Sequence, residues 1–80
     1  MKEILERCLA QALELRPEEI AAIPMDEDLT NHGLFSINLI RLILLLEEAL
    51  GITVRDEDLR IEKFLTVNNA LETLAVYAIE

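Results

Sequence analysis

The sequence predicts an all-α fold, a small four-helix bundle with a long first loop and a short third helix. Leucine dominates the composition, with sixteen leucines against three valines and 4% aromatic residues, whereas sheets are enriched in β-branched and aromatic side chains. Apolar residues also recur every three to four positions, which is the spacing of one helix face. With 80 residues and 52% hydrophobic content, the chain has room for one folded domain, predicted over residues 1–80.

The first helix is predicted over roughly residues 2–15. Its apolar face comprises Ile4, Leu5, Cys8, Leu9, Ala12 and Leu13. Charged and amide side chains occupy the opposite face, as expected for a helix that packs on a core. Pro17 cannot continue the hydrogen bonding of a helix, so we expect the first helix to end before it.

A long loop is predicted from Arg16 to Gly33, because both prolines and several turn-forming residues fall within it. Apolar residues are too frequent in this segment for a free linker. They are Ile20, Ile23, Met25 and Leu29, and Leu34 follows directly after the segment. We therefore expect the loop to lie over the core.

The second helix is the most clearly defined element of the sequence. Ser36 is a favourable N-cap, the residues from Ile37 to Leu50 continue the helix, and Gly51 is typical of the position just after a helix end. This helix is apolar on almost every side. It therefore offers more apolar surface than one small core needs.

Two further helices are predicted after Gly51. The acidic run Asp56-Glu57-Asp58 caps a short third helix around residues 59–64. Thr66 caps the last helix, in which apolar residues from Val67 to Ala78 keep helical spacing.

The charge and composition exclude several classes of function. A formal net charge of -9 opposes binding to nucleic acids and anionic membranes, which recruit lysine and arginine clusters. The single Cys8 cannot form an internal disulfide and suits the reducing cytoplasm, where we expect the protein to reside. The most apolar stretch, Leu39 to Leu46, contains Arg41 and is far shorter than the roughly 20 residues that a membrane-spanning helix needs.

Few side chains could carry catalysis or hold a metal. His32 is the only imidazole and lies four positions before Ser36, which leaves a serine hydrolase remnant as a minor alternative. A calcium loop beginning at Asp26 would need glycine and glutamate at its sixth and twelfth positions, where Asn31 and Ile37 stand. We therefore predict no metal site and favour a non-catalytic protein.

The segment that leads into the second helix carries the strongest signal in the sequence. Its motif residues are Asp28, Leu29, Gly33, Ser36 and Ile37. This pattern resembles the attachment motif of the phosphopantetheine-dependent carrier proteins, which are the acyl and peptidyl carriers of fatty-acid, polyketide and nonribosomal peptide assembly. The resemblance extends from the first helix through the acidic turn to the last helix.

The resemblance implies a bundle of acyl-carrier-protein type with a 4′-phosphopantetheine arm on Ser36. A phosphopantetheinyl transferase would supply the arm from coenzyme A, and an acyl- or aminoacyl-activating ligase would load it with a thioester. A downstream condensing or transferring enzyme would accept the group, and the carrier would perform no catalysis. Asp28, Leu29, Gly33 and Ile37 would shape the surroundings of the serine. A helix N-terminus also favours a bound anion such as a phosphodiester.

Departures from the fatty-acid pattern favour the peptidyl or aminoacyl branch. Fatty-acid carriers usually place aspartate before the serine and acidic residues along the second helix, whereas this chain has Phe35, Asn38 and Arg41 there. Docking to a basic partner of the fatty-acid type would be weakened by this change. The predicted docking residues are Leu34, Phe35, Ile37, Asn38, Arg41 and Leu45.

We expect a free-standing, monomeric carrier whose partners act in trans, in nonribosomal peptide-like or other specialised biosynthesis. An acyl carrier for fatty-acid or polyketide synthesis is the alternative within the family. A small helical adaptor that binds a protein through its second helix, with Ser36 only a helix cap, is the alternative outside it. No nucleic acid partner and no membrane insertion are expected.

Overall fold

The computed structural model describes residues 1–78 and confirms the predicted all-helical architecture. The α-helices are α1 (Lys2–Leu13), α2 (Pro17–Ala21), α3 (Ser36–Leu50) and α4 (Val67–Ala78). Short 3-10 turns cover Leu29–His32, Asp56–Asp58 and Ile61–Phe64. No helix within residues 1–78 is both long and apolar enough to cross a membrane.

The core lies between α1 and α3 and is closed by α4 and the 3-10 turn that precedes it. Its largest fully buried side chains are Leu5, Leu9, Ile20, Leu29, Leu34, Leu42, Leu46, Phe64 and Leu74. Apart from the phenol of Tyr77 and the thiol of Cys8, the buried side chains among the described residues are wholly apolar, so apolar burial supplies most of the folding free energy. Each such side chain contributes about 1.5–3 kcal/mol relative to an exposed position.

Helix α1 ends at Leu13, two residues earlier than predicted. The reason is the backbone of Glu14, which adopts a left-handed conformation with φ 57°. The N–H of Leu15 then turns back and donates to the carbonyl of Ala10 at 2.9 Å. This bond satisfies a carbonyl that the helix end would otherwise leave open.

The long first loop contains a helix that the sequence did not predict. Pro17 begins α2, at a position where its missing N–H costs no helical hydrogen bond. Ile20 in α2 and Ile23 after it are both buried, so this part of the loop lies over the core, as expected.

Backbone hydrogen bonds fix the second half of the loop to the region where α4 begins. The N–H of Leu29 donates to the carbonyl of Leu65 at 2.7 Å, and the N–H of Asn68 donates to the carbonyl of Met25 at 3.0 Å. The segment before Ser36 is therefore held by residues that lie more than thirty positions later in the chain.

The predicted third helix is a single 3-10 turn, Ile61–Phe64, rather than an α-helix. A second 3-10 turn, Asp56–Asp58, lies before it, and Leu59 between the two is exposed. Short segments adopt the tighter 3-10 form readily, because few residues are available for α-helical hydrogen bonds. Phe64 is completely buried and anchors this segment in the core.

Candidate functional site

Ser36 is the first residue of α3, and its side chain is exposed. The N-cap is Phe35, with an extended backbone at φ -123° and ψ 179°, so the prediction of Ser36 as the N-cap was wrong by one residue. Ser36 already belongs to the helix, and the side chain of Asn38 accepts a hydrogen bond from the N–H of the Phe35 cap. Within residues 1–78 the Ser36 hydroxyl forms no hydrogen bond. It is therefore free to react.

Backbone N–H groups at the start of α3 are open beside this hydroxyl. The first hydrogen bond of the helix runs from the N–H of Leu39 to the carbonyl of Phe35 at 2.8 Å. The N–H groups of Ser36, Ile37 and Asn38 have no acceptor among the described residues. Together with the positive end of the helix dipole, they favour a negatively charged group on the serine oxygen. This arrangement fits a phosphodiester.

Asp28 begins the turn that leads to the serine. Its Oδ1 accepts hydrogen bonds from the N–H of Thr30 at 2.8 Å and from the Thr30 hydroxyl at 2.5 Å. These two bonds, the hydroxyl bond first, lower the pKa of the Asp28 carboxyl below its usual value. The turn ends at Gly33, whose φ of 98° favours a residue without a β-carbon. Asp28 and Gly33, two of the predicted shaping residues, thus bound the 3-10 turn Leu29–His32.

Two apolar residues of the segment before Ser36 point into the core. Leu29 and Leu34 are both completely buried, and the N–H of Leu34 donates to the carbonyl of Leu29 at 3.1 Å. The prediction that Leu34 takes part in docking was therefore wrong. The Leu34 side chain packs in the core and anchors the loop there, two residues before the exposed Ser36.

A continuous apolar surface extends from the serine along α3. The exposed fractions are 60% for Phe35, 82% for Ile37, 63% for Ile40 and 60% for Leu44. Ile40 and Leu44 were not predicted as docking residues, although they follow Ile37 at the spacing of one helix face. We call Phe35, Ile37, Ile40 and Leu44 the α3 apolar face.

Arg41 and Leu45, two further predicted docking residues on α3, lie in different surroundings. Arg41 is exposed, one turn beyond Ile37, and forms no ion pair with the described residues. Leu45 is half-buried and packs against the core, lining a shallow groove between α1 and α3. Arg41 therefore borders the α3 apolar face, whereas Leu45 faces α1.

Asn38 was predicted as a docking residue, but its amide is engaged inside the protein. Its Oδ1 accepts a hydrogen bond from the N–H of Phe35 at 3.3 Å. Its Nδ2 donates to the carbonyl of Ala12 at 3.0 Å. The side chain is half-buried and links α3 to α1, because its position on the helix lies close to the end of the neighbouring helix.

The structure does not assemble a serine hydrolase. The His32 Nε2 contacts the carboxylate of Glu27 and forms no hydrogen bond with Ser36. A serine nucleophile needs a base within hydrogen-bond reach. No group of three His, Cys, Asp or Glu side chains within the described part of the chain is arranged to hold a metal ion.

Cys8 lies in the core, where burial raises the pKa of its thiol and the nearby Arg7 offsets this only in part. The thiol therefore favours its protonated form. It packs as a small apolar side chain, as its place on the apolar face of α1 predicted.

Comparison with known proteins identifies the family. The model of the family described as "Phosphopantetheine attachment site" matches residues 3–74, which is most of the chain. Comparisons with curated proteins and with solved structures give no significant match. Members of this family are non-catalytic carriers that bear a covalent 4′-phosphopantetheine group. The chain therefore belongs to the phosphopantetheine attachment site family and is a phosphopantetheine-carrying carrier protein.

Proposed function

We propose that Ser36 is the residue that carries the 4′-phosphopantetheine arm, and that the protein holds acyl or aminoacyl groups on it. The observation that carries this proposal is the setting of the Ser36 hydroxyl. It is exposed, it makes no hydrogen bond within residues 1–78, and it lies beside open N–H groups at the start of a 15-residue helix. Ser36 also stands at the serine position of the carrier motif.

Attachment is a phosphoryl-type transfer in which this protein is the substrate. The Ser36 oxygen forms a bond to the phosphorus of the arm, while the pyrophosphate bond of coenzyme A breaks. Adenosine bisphosphate leaves, and the hydroxyl proton passes to a base of the transferase. The open N–H groups of α3 lie where they favour the new phosphodiester charge. The bound arm ends in a thiol, which holds the cargo as a reactive thioester.

We propose that the cargo belongs to the aminoacyl or peptidyl class, in nonribosomal peptide-like or other specialised biosynthesis. The support is the surface around Ser36, which consists of the α3 apolar face and the positive charge of Arg41. A basic partner of the fatty-acid type would meet no carboxylate along the first two turns of this helix. An acyl carrier for fatty-acid or polyketide synthesis is the second candidate.

The proposed partners follow from the chemistry of loading and delivery. They are a phosphopantetheinyl transferase, a ligase that activates and loads the acid, and an enzyme that accepts the thioester. We propose that these enzymes dock on the α3 apolar face and Arg41, and that residues 1–80 form one carrier domain. We place the protein in the cytoplasm, because coenzyme A, the donor of the arm, is an intracellular cofactor.

The proposal is tested by incubating the unmodified protein with coenzyme A, magnesium and a broad-specificity phosphopantetheinyl transferase, followed by intact mass measurement. We expect a gain of one phosphopantetheine group, which Ser36→Ala abolishes. Thr53→Ala is the matched control, because Thr53 is also an exposed hydroxyl but lies after α3. Failure of several transferases to modify the wild-type protein would refute the proposal and favour the adaptor alternative.

A further inference from the structure

One side chain ties the serine-bearing end of α3 to the end of α1. Asn38 Nδ2 donates to the carbonyl of Ala12 at 3.0 Å, in the last turn of α1, where carbonyls have no helical donor. Asn38 Oδ1 accepts from the N–H of Phe35 at 3.3 Å, in the manner of a glutamate or glutamine three positions after an N-cap. Both polar ends of one amide are therefore used, one on each helix.

This amide supplies a directional contact that the rest of the α1 and α3 interface lacks. Within residues 1–78, no other side-chain hydrogen bond joins these two helices. The buried side chains that pack between them belong to the apolar core. Apolar burial is not directional, so it does not by itself fix the rotation of the first turn of α3. The two hydrogen bonds of the Asn38 amide add a directional restraint at that turn.

We propose that Asn38 is a positioning residue for Ser36, which it orients through the backbone of the first turn of α3. This inference rests on the proposed attachment at Ser36. Asn38 does not contact the hydroxyl, and its amide is not free to bind a transferase. It holds Phe35 and the start of the helix against α1, so that the hydroxyl and the three open N–H groups keep one arrangement relative to a docked enzyme.

Replacement by aspartate separates the two bonds. Asn38→Asp keeps an oxygen that can accept from the N–H of Phe35 but has no N–H to donate to Ala12. Its carboxylate would instead face the carbonyl oxygens at the negative end of α1, which repels it. A carboxylate in the first turn of α3 is favoured by the positive end of that helix dipole. Asn38→Asp therefore loses the link between the helices while retaining the cap.

The test is the steady-state kinetics of phosphopantetheine transfer onto the full chain, with carrier concentration varied. We expect Asn38→Ala and Asn38→Asp to lower kcat by about tenfold or more, because small misplacements of a reacting group are costly. KM should change little in Asn38→Asp, because this variant retains the acceptor for the Phe35 N–H and leaves the side chains of the α3 apolar face and Arg41 unaltered. Asn68→Asp, which introduces the same charge in the first turn of α4, should leave both constants unchanged.

Rates are compared at a temperature where circular dichroism shows every variant to be folded. If Asn38→Ala does not fold, Asn38→Asp alone carries the comparison, because its cap is retained. Wild-type kcat in the folded Asn38 variants, or a rise in KM alone, would overturn the positioning role and leave attachment at Ser36 standing. A wild-type protein that is not loaded at all would refute the attachment itself.

Discussion

The phenol of Tyr77 donates a hydrogen bond of 2.5 Å to Oδ2 of Asp58. The same phenol oxygen accepts a hydrogen bond of 2.9 Å from the N–H of Arg55. Tyr77 is buried in α4, and its two partners belong to the segment around the 3-10 turn Asp56–Asp58. A side chain of the last helix thereby fixes the connection that leaves α3.

Tyr77→Phe removes both of these hydrogen bonds and keeps the ring. We expect the free energy of unfolding to fall by about 1–3 kcal/mol, because a charged acceptor and a backbone N–H lose their shared partner. Urea denaturation measures the change, with an unaltered m-value showing that the fold is kept. Thr73→Val is the control, since it removes from α4 one neutral, exposed hydrogen bond to the carbonyl of Lys63. Equal stability of the Tyr77 variant and the wild type would contradict the expected role.

The same phenol makes stability depend on pH in the alkaline range. Burial, followed by the hydrogen bond to Asp58, raises the pKa of Tyr77 above its ordinary value of 10.0. A raised pKa means that the folded protein holds the phenol proton more tightly than the unfolded chain does. The stability that the protonated Tyr77 phenol adds to the fold is therefore complete below about pH 10. It is lost as the pH rises through the pKa of Tyr77 in the folded protein.

The alkaline effect can be measured directly, because Tyr77 is the only tyrosine in the chain. Absorbance of the tyrosinate should titrate at higher pH in the folded protein than in urea. The free energy of unfolding should also decline more steeply with pH in the wild type than in Tyr77→Phe. Both proteins contain Cys8 and the same lysines, so the titration of those groups affects the two equally. Parallel declines in the two proteins would count against this prediction.

Gly33→Ala tests the turn before the serine. An added β-carbon at Gly33 would meet no atom within 4 Å, so the expected cost comes from its φ of 98° alone. We expect a loss of about 1–2 kcal/mol in the free energy of unfolding. Asn31→Ala, at an exposed position of the same turn, is the matched control and should change stability by less than about 0.5 kcal/mol. A Gly33 variant as stable as this control would show that the turn tolerates a side chain.

Arg41→Glu tests the charge beside the α3 apolar face. We expect it to raise KM about two- to fivefold for an enzyme that meets Arg41 with a carboxylate, since an exposed ion pair contributes at most about 1 kcal/mol. Arg60→Glu changes the net charge equally but lies outside α3, so it should leave KM unaltered. If KM is the same for Arg41→Glu and the wild type with every partner enzyme, Arg41 is not part of the docking surface.

Ile40→Gln tests the apolar part of the same surface. Ile40 is 63% exposed, so the substitution should leave the free energy of unfolding within about 0.5 kcal/mol of the wild type. The KM of the transferase should nevertheless rise, because apolar area buried on docking is lost. Val76→Gln is the matched control: Val76 is 50% exposed but lies on α4. A similar rise in KM for both variants would show that the loss of any exposed apolar side chain weakens docking, whether or not it lies on the α3 apolar face.

Much of the bundle was predictable from the sequence, because its main helices carry local signals. Spacing of apolar residues located α1 and α4, whereas Ser36 and Gly51 marked the two ends of α3, where the φ of Gly51 is 66°. Ser36 was singled out by the motif around it. These features depend on neighbouring residues, which a single sequence displays.

Other features depend on contacts between distant parts of the chain. Leu34 looked available beside the serine, but the core draws it inward. The sequence predicts Asn38 as an exposed docking residue. In the structure its amide donates to the carbonyl of Ala12, which depends on the packing of α1 against α3. A short helix was predicted around residues 59–64, but its 3-10 form at Ile61–Phe64 and the complete burial of Phe64 were not.

The two backbone bonds from the first loop to Leu65 and Asn68 have a consequence for the synthesis of the protein. Their partners are made after the whole of α3, so the loop before Ser36 reaches its final hydrogen bonding only once residue 68 has left the ribosome. An enzyme that recognises the finished loop therefore selects completed carriers over nascent chains. The C-terminal third of the sequence therefore completes the hydrogen bonding of the loop that leads to Ser36.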